Sequence, residues 1–119
     1  MKRNMDLIRD ILLEIEAQPA GKLIEEISLP GDYSTEEIVG HLRLIEQAEL
    51  IDGHLDFFAE GTLIAIDGLS NKGHDLLDSI RGEAVWAKTK ERVEEVGGSV
   101  AMDTLKAIAS AVAVKLLGL

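Results

Sequence analysis

Cysteine is absent from the 119-residue chain. That absence excludes disulfides, iron–sulfur clusters, thiolate zinc sites and any cysteine nucleophile. Long hydrophobic runs are missing too, since no stretch approaches the roughly 18 uncharged apolar residues that a spanning helix requires. The start, Met1-Lys2-Arg3-Asn4-Met5-Asp6, meets charged residues at once and lacks the apolar run of a signal peptide. A cytoplasmic protein without membrane contact is therefore expected. Catalytic signatures are lacking as well. No Ser-His-Asp order, phosphate-cradling glycine loop or dinucleotide fingerprint occurs, so neither an enzyme nor a bound cofactor is expected.

Positive charge is scarce, and unevenly so. Twelve Lys and Arg stand against 22 Asp and Glu, for a formal charge of −10. Residues 1–33 hold seven acids and four bases, net −3, and residues 70–119 hold seven of each, net 0. Residues 34–69 hold eight acids and Arg43 alone, net −7. With 46% hydrophobic and 29% charged residues, the composition is that of a folded domain and not of a disordered acidic tail. The length suits a single domain with one core.

Met5, Ile8, Ile11, Leu12 and Ile15 recur at three- and four-residue spacing, so a helix is expected from Asn4 to about Ala17. Asn4 caps it, and Gln18-Pro19-Ala20-Gly21 stops it. Leu23–Leu29 alternates loosely and reads as a short strand before the Pro30-Gly31-Asp32 turn. Ser34 with Glu37 three residues on is a capping box. It opens a second helix whose buried stripe is Ile38, Leu42, Ile45 and Ala48. At Leu50 the period changes, and two β-rich runs around Glu60-Gly61 predict a hairpin ending at Asp67-Gly68. A third helix follows with Leu76, Leu77 and Ile80 apolar. Gly82 breaks it, because glycine costs about 1 kcal/mol in a helix interior. A fourth helix runs from Glu83 to Val96, with Val85, Trp86, Thr89, Val93 and Val96 inward, and a fifth from about Ala101 to Leu117. The order predicts a mostly helical α+β protein: a winged helix-turn-helix core over residues 1–81 with a β-hairpin wing, and a helical extension over 83–119.

The residues from Glu37 to Ile51, Glu-Ile-Val-Gly-His-Leu-Arg-Leu-Ile-Glu-Gln-Ala-Glu-Leu-Ile, resemble the reading helix and first wing strand of small bacterial winged-helix repressors, V-x-x-H-L-x-x-L-x-x-A-G-L-V. Leu69-Ser70-Asn71-Lys72-Gly73 is similar to their L-T-x-K-G entrance to the next helix. Over its full length the chain resembles an uncharacterised bacterial and prophage family with YjcQ-type winged-helix relatives. The resemblance rests on Lys2–Arg9, Gly73–Arg81, Val85–Lys90 and Lys115–Leu119. It implies a fold and a bacterial or phage context, and no activity. Two departures stand out. Glu49 occupies the place of the glycine, and Leu23–Tyr33 leaves no room for a full helix before the reading helix.

A winged helix would lay its second helix in the major groove, with His41, Arg43 and Gln47 as the candidate DNA-facing side chains. Charge opposes this, because non-specific affinity comes almost wholly from Lys and Arg on phosphates. Glu36, Glu37, Glu46, Asp56 and Glu60 would repel a duplex. The expectation is a regulatory or DNA-associated dimer of bacterial or phage origin. The alternative, which these acids suit, is a module that binds a basic protein partner without contacting DNA directly, in the manner of a DNA mimic or a regulator-binding protein. Arg81, Lys88, Lys90 and Arg92 read as a solvated helix face paired with nearby glutamates. His74 and Asp78 have a metal-compatible spacing but no third ligand, so no metal is expected. The fifth helix is apolar on nearly all sides, which fits either an intramolecular core helix or, as the preferred expectation, a homodimer packed through Leu105, Ile108, Val112, Leu116 and Trp86.

Overall fold

A computed structural model describes residues 1–118 and shows how local signals set each element. Leu119, the end of the C-terminal motif, lies outside the described residues. Helix α1 spans Met5–Ala17; the Asn4 side chain accepts the Leu7 N–H at 3.2 Å and closes its first turn. Helix α2 spans Thr35–Gln47 behind the expected capping box: Ser34 Oγ accepts from the Glu37 N–H, and Glu37 Oε1 accepts from the Ser34 N–H. Strands β1 (Ile51–Phe58) and β2 (Gly61–Leu69) form an antiparallel hairpin, and α3 (Asn71–Ile80), α4 (Glu83–Glu95) and α5 (Met102–Leu116) follow. The described residues thus make a mixed α+β, mostly helical chain of five helices and one hairpin. The break at Gly82 falls where expected, as the N-cap of α4.

Two compact units make up the chain, Met1–His74 and Asp75–Leu119, so the division falls within α3 and ahead of Gly82. In the first, α1 packs on α2 and β2, and α2 packs on β1. Met5, Ile8, Ile11, Leu12 and Ile15 are all buried, and Leu7 joins them. Each such side chain contributes on the order of 2 kcal/mol by leaving water. Leu42 and Ile45 meet this core from α2, and Leu55 and Ile66 from the hairpin. A register shift at Asp52/Gly53 bends β1. Glycine is required there, since φ is +139° and a Cβ would collide with the Ala65 carbonyl oxygen.

The strand expected at Leu23–Leu29 shrinks to one residue. Ile24 exchanges both backbone hydrogen bonds with Ile66, at 2.8 and 2.9 Å, and no neighbour extends the pairing. The physical reason lies in the sequence pattern: Leu23 and Ile24 are adjacent, so an extended chain can bury only one of them. Ile24 is buried and Leu23 is 47% exposed.

The end of α2 shows what the Glu49 departure costs. Glu49 has φ of +61°, the one non-glycine residue with positive φ among the described residues. The Leu50 N–H then reaches back to the Ile45 carbonyl at 3.1 Å and caps the helix. Ser70 ties the same spot to the hairpin's end: its Oγ donates to the Glu49 carbonyl at 2.6 Å and its N–H to the Leu50 carbonyl at 3.0 Å. Gly73 lies so close that a Cβ would collide with the Leu50 carbonyl oxygen. In the second unit α4 and α5 pack together, burying Trp86, Thr89 and Val93 with Leu105, Ala109 and Val112. Val96, expected inward, is 64% exposed because α4 ends at Glu95.

Left-handed backbone costs an L-residue about 1–2 kcal/mol, part of which glycine's greater chain entropy gives back. Glu49→Gly should therefore stabilise the protein by about 0.5–1 kcal/mol. A rise in the urea midpoint at unchanged m-value checks this.

Candidate functional site

Helix α2 and the hairpin carry most of the side chains singled out by sequence. By helical spacing, Glu36, Gly40, Arg43 and Gln47 share the face of α2 opposite Leu42 and Ile45. Arg43 is exposed, but its guanidinium lies over the Phe57 ring, 4.1 Å from the centroid. Stacking of this kind holds the cation against β1. Gln47 is exposed and projects from the last turn.

His41 is not a surface residue. It is 1% exposed, and both ring nitrogens are engaged. Nε2 accepts the backbone N–H of Asn4 at 2.8 Å, so Nδ1 carries the proton and donates to the Glu37 carbonyl at 2.7 Å. The imidazole joins the cap of α1 to the first turn of α2, which removes it from any groove-reading role. Periodicity could have placed it near the buried face, beside Leu42. Its partner, 37 residues away, left no sequence signal.

The acids are all at the surface but do not gather in one cluster. Glu36 and Glu37 occupy the first turn of α2, and half-buried Glu46 its last. Asp56 and Glu60 belong to the hairpin. Cross-strand pairing puts Asp56 opposite Leu63 and Phe58 opposite Gly61, so Asp56, Phe58 and Leu63 share the hairpin face turned away from Phe57. Phe58 is 61% and Leu63 52% exposed. His54 Nε2 lies 2.9 Å from Asp56 Oδ2 on that same face. Glu49, Asp52 and Asp67 complete the eight acids of these elements, all exposed.

Tyr33, passed over by the sequence reading, hydrogen-bonds Asp10 of α1. Partial burial first, then the Asp10, Asp6 and Glu37 carboxylates, push its phenol above the usual range and keep it protonated.

Several cations of the second unit have partners within it. Arg81 donates to Asp78 at 2.8 Å, Lys88 pairs with Glu91 at 3.0 Å, and Lys90 sits 5.9 Å from the Trp86 ring centroid. Asp78 thus serves Arg81. The interface expected on α5 is corrected by burial. Leu105, Val112 and Trp86 are at most 4% exposed within the chain itself and are core residues, while Ile108 is half-buried. Leu116 is 54% exposed, and Val114 and Leu117 join it at the surface. Among the described residues no helix is long and apolar enough to cross a membrane.

Comparison with known proteins places this geometry in a lineage. The model of the family described as "Hypothetical protein (DUF2513)" matches residues 2–99. A relative from Haemophilus influenzae, described as an uncharacterized protein, is 32% identical over 120 residues, covering 98% of this chain and 99% of the relative. No solved structure matches.

His41→Ala removes a buried ring and leaves the part-buried Asn4 N–H without its acceptor. It should cost about 2 kcal/mol, seen as a lower urea midpoint. Arg43→Ala, losing one exposed stacking contact, should cost under about 1 kcal/mol.

Proposed function

The chain belongs to the DUF2513 family, and on that footing we propose that its first unit is a winged-helix module that binds a basic protein surface and does not read DNA directly. The element order and the backbone exchange of Ile24 with Ile66 support the winged-helix reading. The hairpin is then the wing, Ile24 stands for the strand after the first helix, and residues 25–34 replace the first helix of the helix-turn-helix. A bacterial or prophage regulatory setting follows from the motif resemblance alone.

One observation carries the choice of partner. The two elements that would meet a duplex, with the turn between them, carry eight acids, six exposed and Glu46 and Asp56 half-buried, against one arginine, which stacks on Phe57. Phosphate neutralisation, the source of non-specific affinity, has only this one exposed arginine to draw on. A basic protein surface is the complement of such a face, and the exposed Phe58 and Leu63 add apolar contact area to it. The fold favours a second reading, a DNA-associated regulator. Its groove-facing candidates reduce to Arg43 and Gln47 now that His41 is buried.

Association of two copies forms the other part of the proposal. On α5, Ala107, Ala111 and Val114 follow helical spacing along the side opposite Leu105, Ala109 and Val112, and Leu116 and Leu117 extend the exposed apolar surface. Small residues let two helices approach closely, so the homodimer contact belongs on this outer side.

In a gel-shift assay at about 50 mM salt, where phosphate binding is strongest, a random duplex should not be retarded; retardation would overturn the reading. Basic proteins captured from a bacterial lysate by the wild type should be lost on combined Glu36→Lys, Glu46→Lys and Glu60→Lys exchange, which leaves the capping box intact. Light scattering at micromolar concentration should give a dimer mass, and Val114→Glu with Leu117→Glu should return it to the monomer.

A further inference from the structure

The chain around Ile24 leaves an open backbone edge. Ile24 directs its N–H and its carbonyl to Ile66. Peptide planarity then turns the Leu23 carbonyl and the Glu25 N–H the opposite way. Neither has a backbone partner among the described residues. This donor and acceptor flank one residue with the same spacing that Ile66 already satisfies on the other side.

A groove of about 440 Å³ runs along this edge, bounded by Glu14 and Gln18 of α1 and by residues 22–26 and Ser28. A second hollow of about 230 Å³, lined by Asp10, Leu13, Leu29 and Pro30, shares Glu14 with it. Leu23 is 47% exposed in the groove. Glu25 and Glu26 are exposed and enter no ion pair, and Lys22 is the lone base of the lining.

The geometry points to this groove as a strand-addition site for an extended, lysine- or arginine-bearing segment of another protein. Strand addition draws affinity from main-chain pairing and specificity from alternate side chains. Here one residue of the incoming strand pairs with the Leu23 carbonyl and Glu25 N–H. Its basic neighbours lie on the face shared by Leu23 and Glu25, where their alkyl stems cover Leu23 and their charged ends reach the carboxylates of the groove. The same carboxylates keep two copies of this chain from joining edge to edge, since that pairing would set like charges against each other. A second copy is thereby disfavoured and a basic strand selected. The groove adjoins β2 through Ile24 but is lined by no residue of α2 or the hairpin, and the inference does not rest on the function proposed for them.

An acetylated seven-residue peptide of alternating valine and lysine is the probe, titrated into the ¹⁵N-labelled full chain. It should shift amide signals over residues 22–28 and slow exchange of the Glu25 amide about tenfold, a protection equivalent to about 1.4 kcal/mol. An alternating valine–glutamate peptide should leave them unmoved. Glu25→Pro, which deletes the outward N–H but spares the bonds of Ile24, should abolish the shifts. Combined Glu25→Lys and Glu26→Lys should weaken the lysine peptide about tenfold or more and admit the glutamate peptide, a test that holds even where the proline variant fails to fold. Shifts confined to α2 and the hairpin would overturn the site while leaving the proposed function standing. Equal binding of both peptides, edge-dependent self-association of the free chain, or no shift at all would also overturn it.

Discussion

Four elements of the first unit converge on the peptide linking Glu49 to Leu50. Its N–H closes α2 onto Ile45, and its carbonyl takes the Ser70 hydroxyl proton from the end of the hairpin. The next carbonyl, that of Leu50, accepts the Ser70 N–H and lies against Gly73 at the start of α3. All of these bonds need the chain to turn sharply between α2 and β1. The turn is possible only in left-handed backbone, which is why Glu49 tolerates a conformation that glycine adopts without strain. The positions of α2, the hairpin and the first turn of α3 all follow from that one bend.

Signals that act within a few residues were legible in the sequence. The stripe of α1, the Ser34–Glu37 box, the period change at Leu50 and the stop at Gly82 each depend on neighbours along the chain, and each appears as expected. Features that depend on distant residues were not legible. His41 looked like a reading-helix side chain because nothing local reveals its bond to Asn4. Leu23–Leu29 looked like a strand because its composition is right, yet the one available partner surface, the edge of β2, receives only Ile24. On α5 an apolar composition on nearly all sides concealed which side is inward. Packing against α4 selects Leu105, Ala109 and Val112, and leaves the alanine side outward.

Acidity reads differently once placed on elements. The count of −7 over residues 34–69 suggested a single face. The structure instead distributes it between the two ends of α2 and the hairpin, with further unpaired carboxylates along the Ile24 edge. A surface of this kind repels phosphate from several directions. In the second unit Arg81, Lys88 and Lys90 are held by Asp78, Glu91 and Trp86.

The buried imidazole of His41 also bears on how the first unit comes apart. Asn4 closes the first turn of α1 with its side chain while its own N–H is held by α2. Fraying at the start of α1 therefore strands a hydrogen-bond acceptor inside the protein, and loss of the first turn of α2 strands a donor. Neither helix end opens cheaply without the other. Two segments distant in sequence, the start of α1 and the first turn of α2, become one cooperative unit of local unfolding.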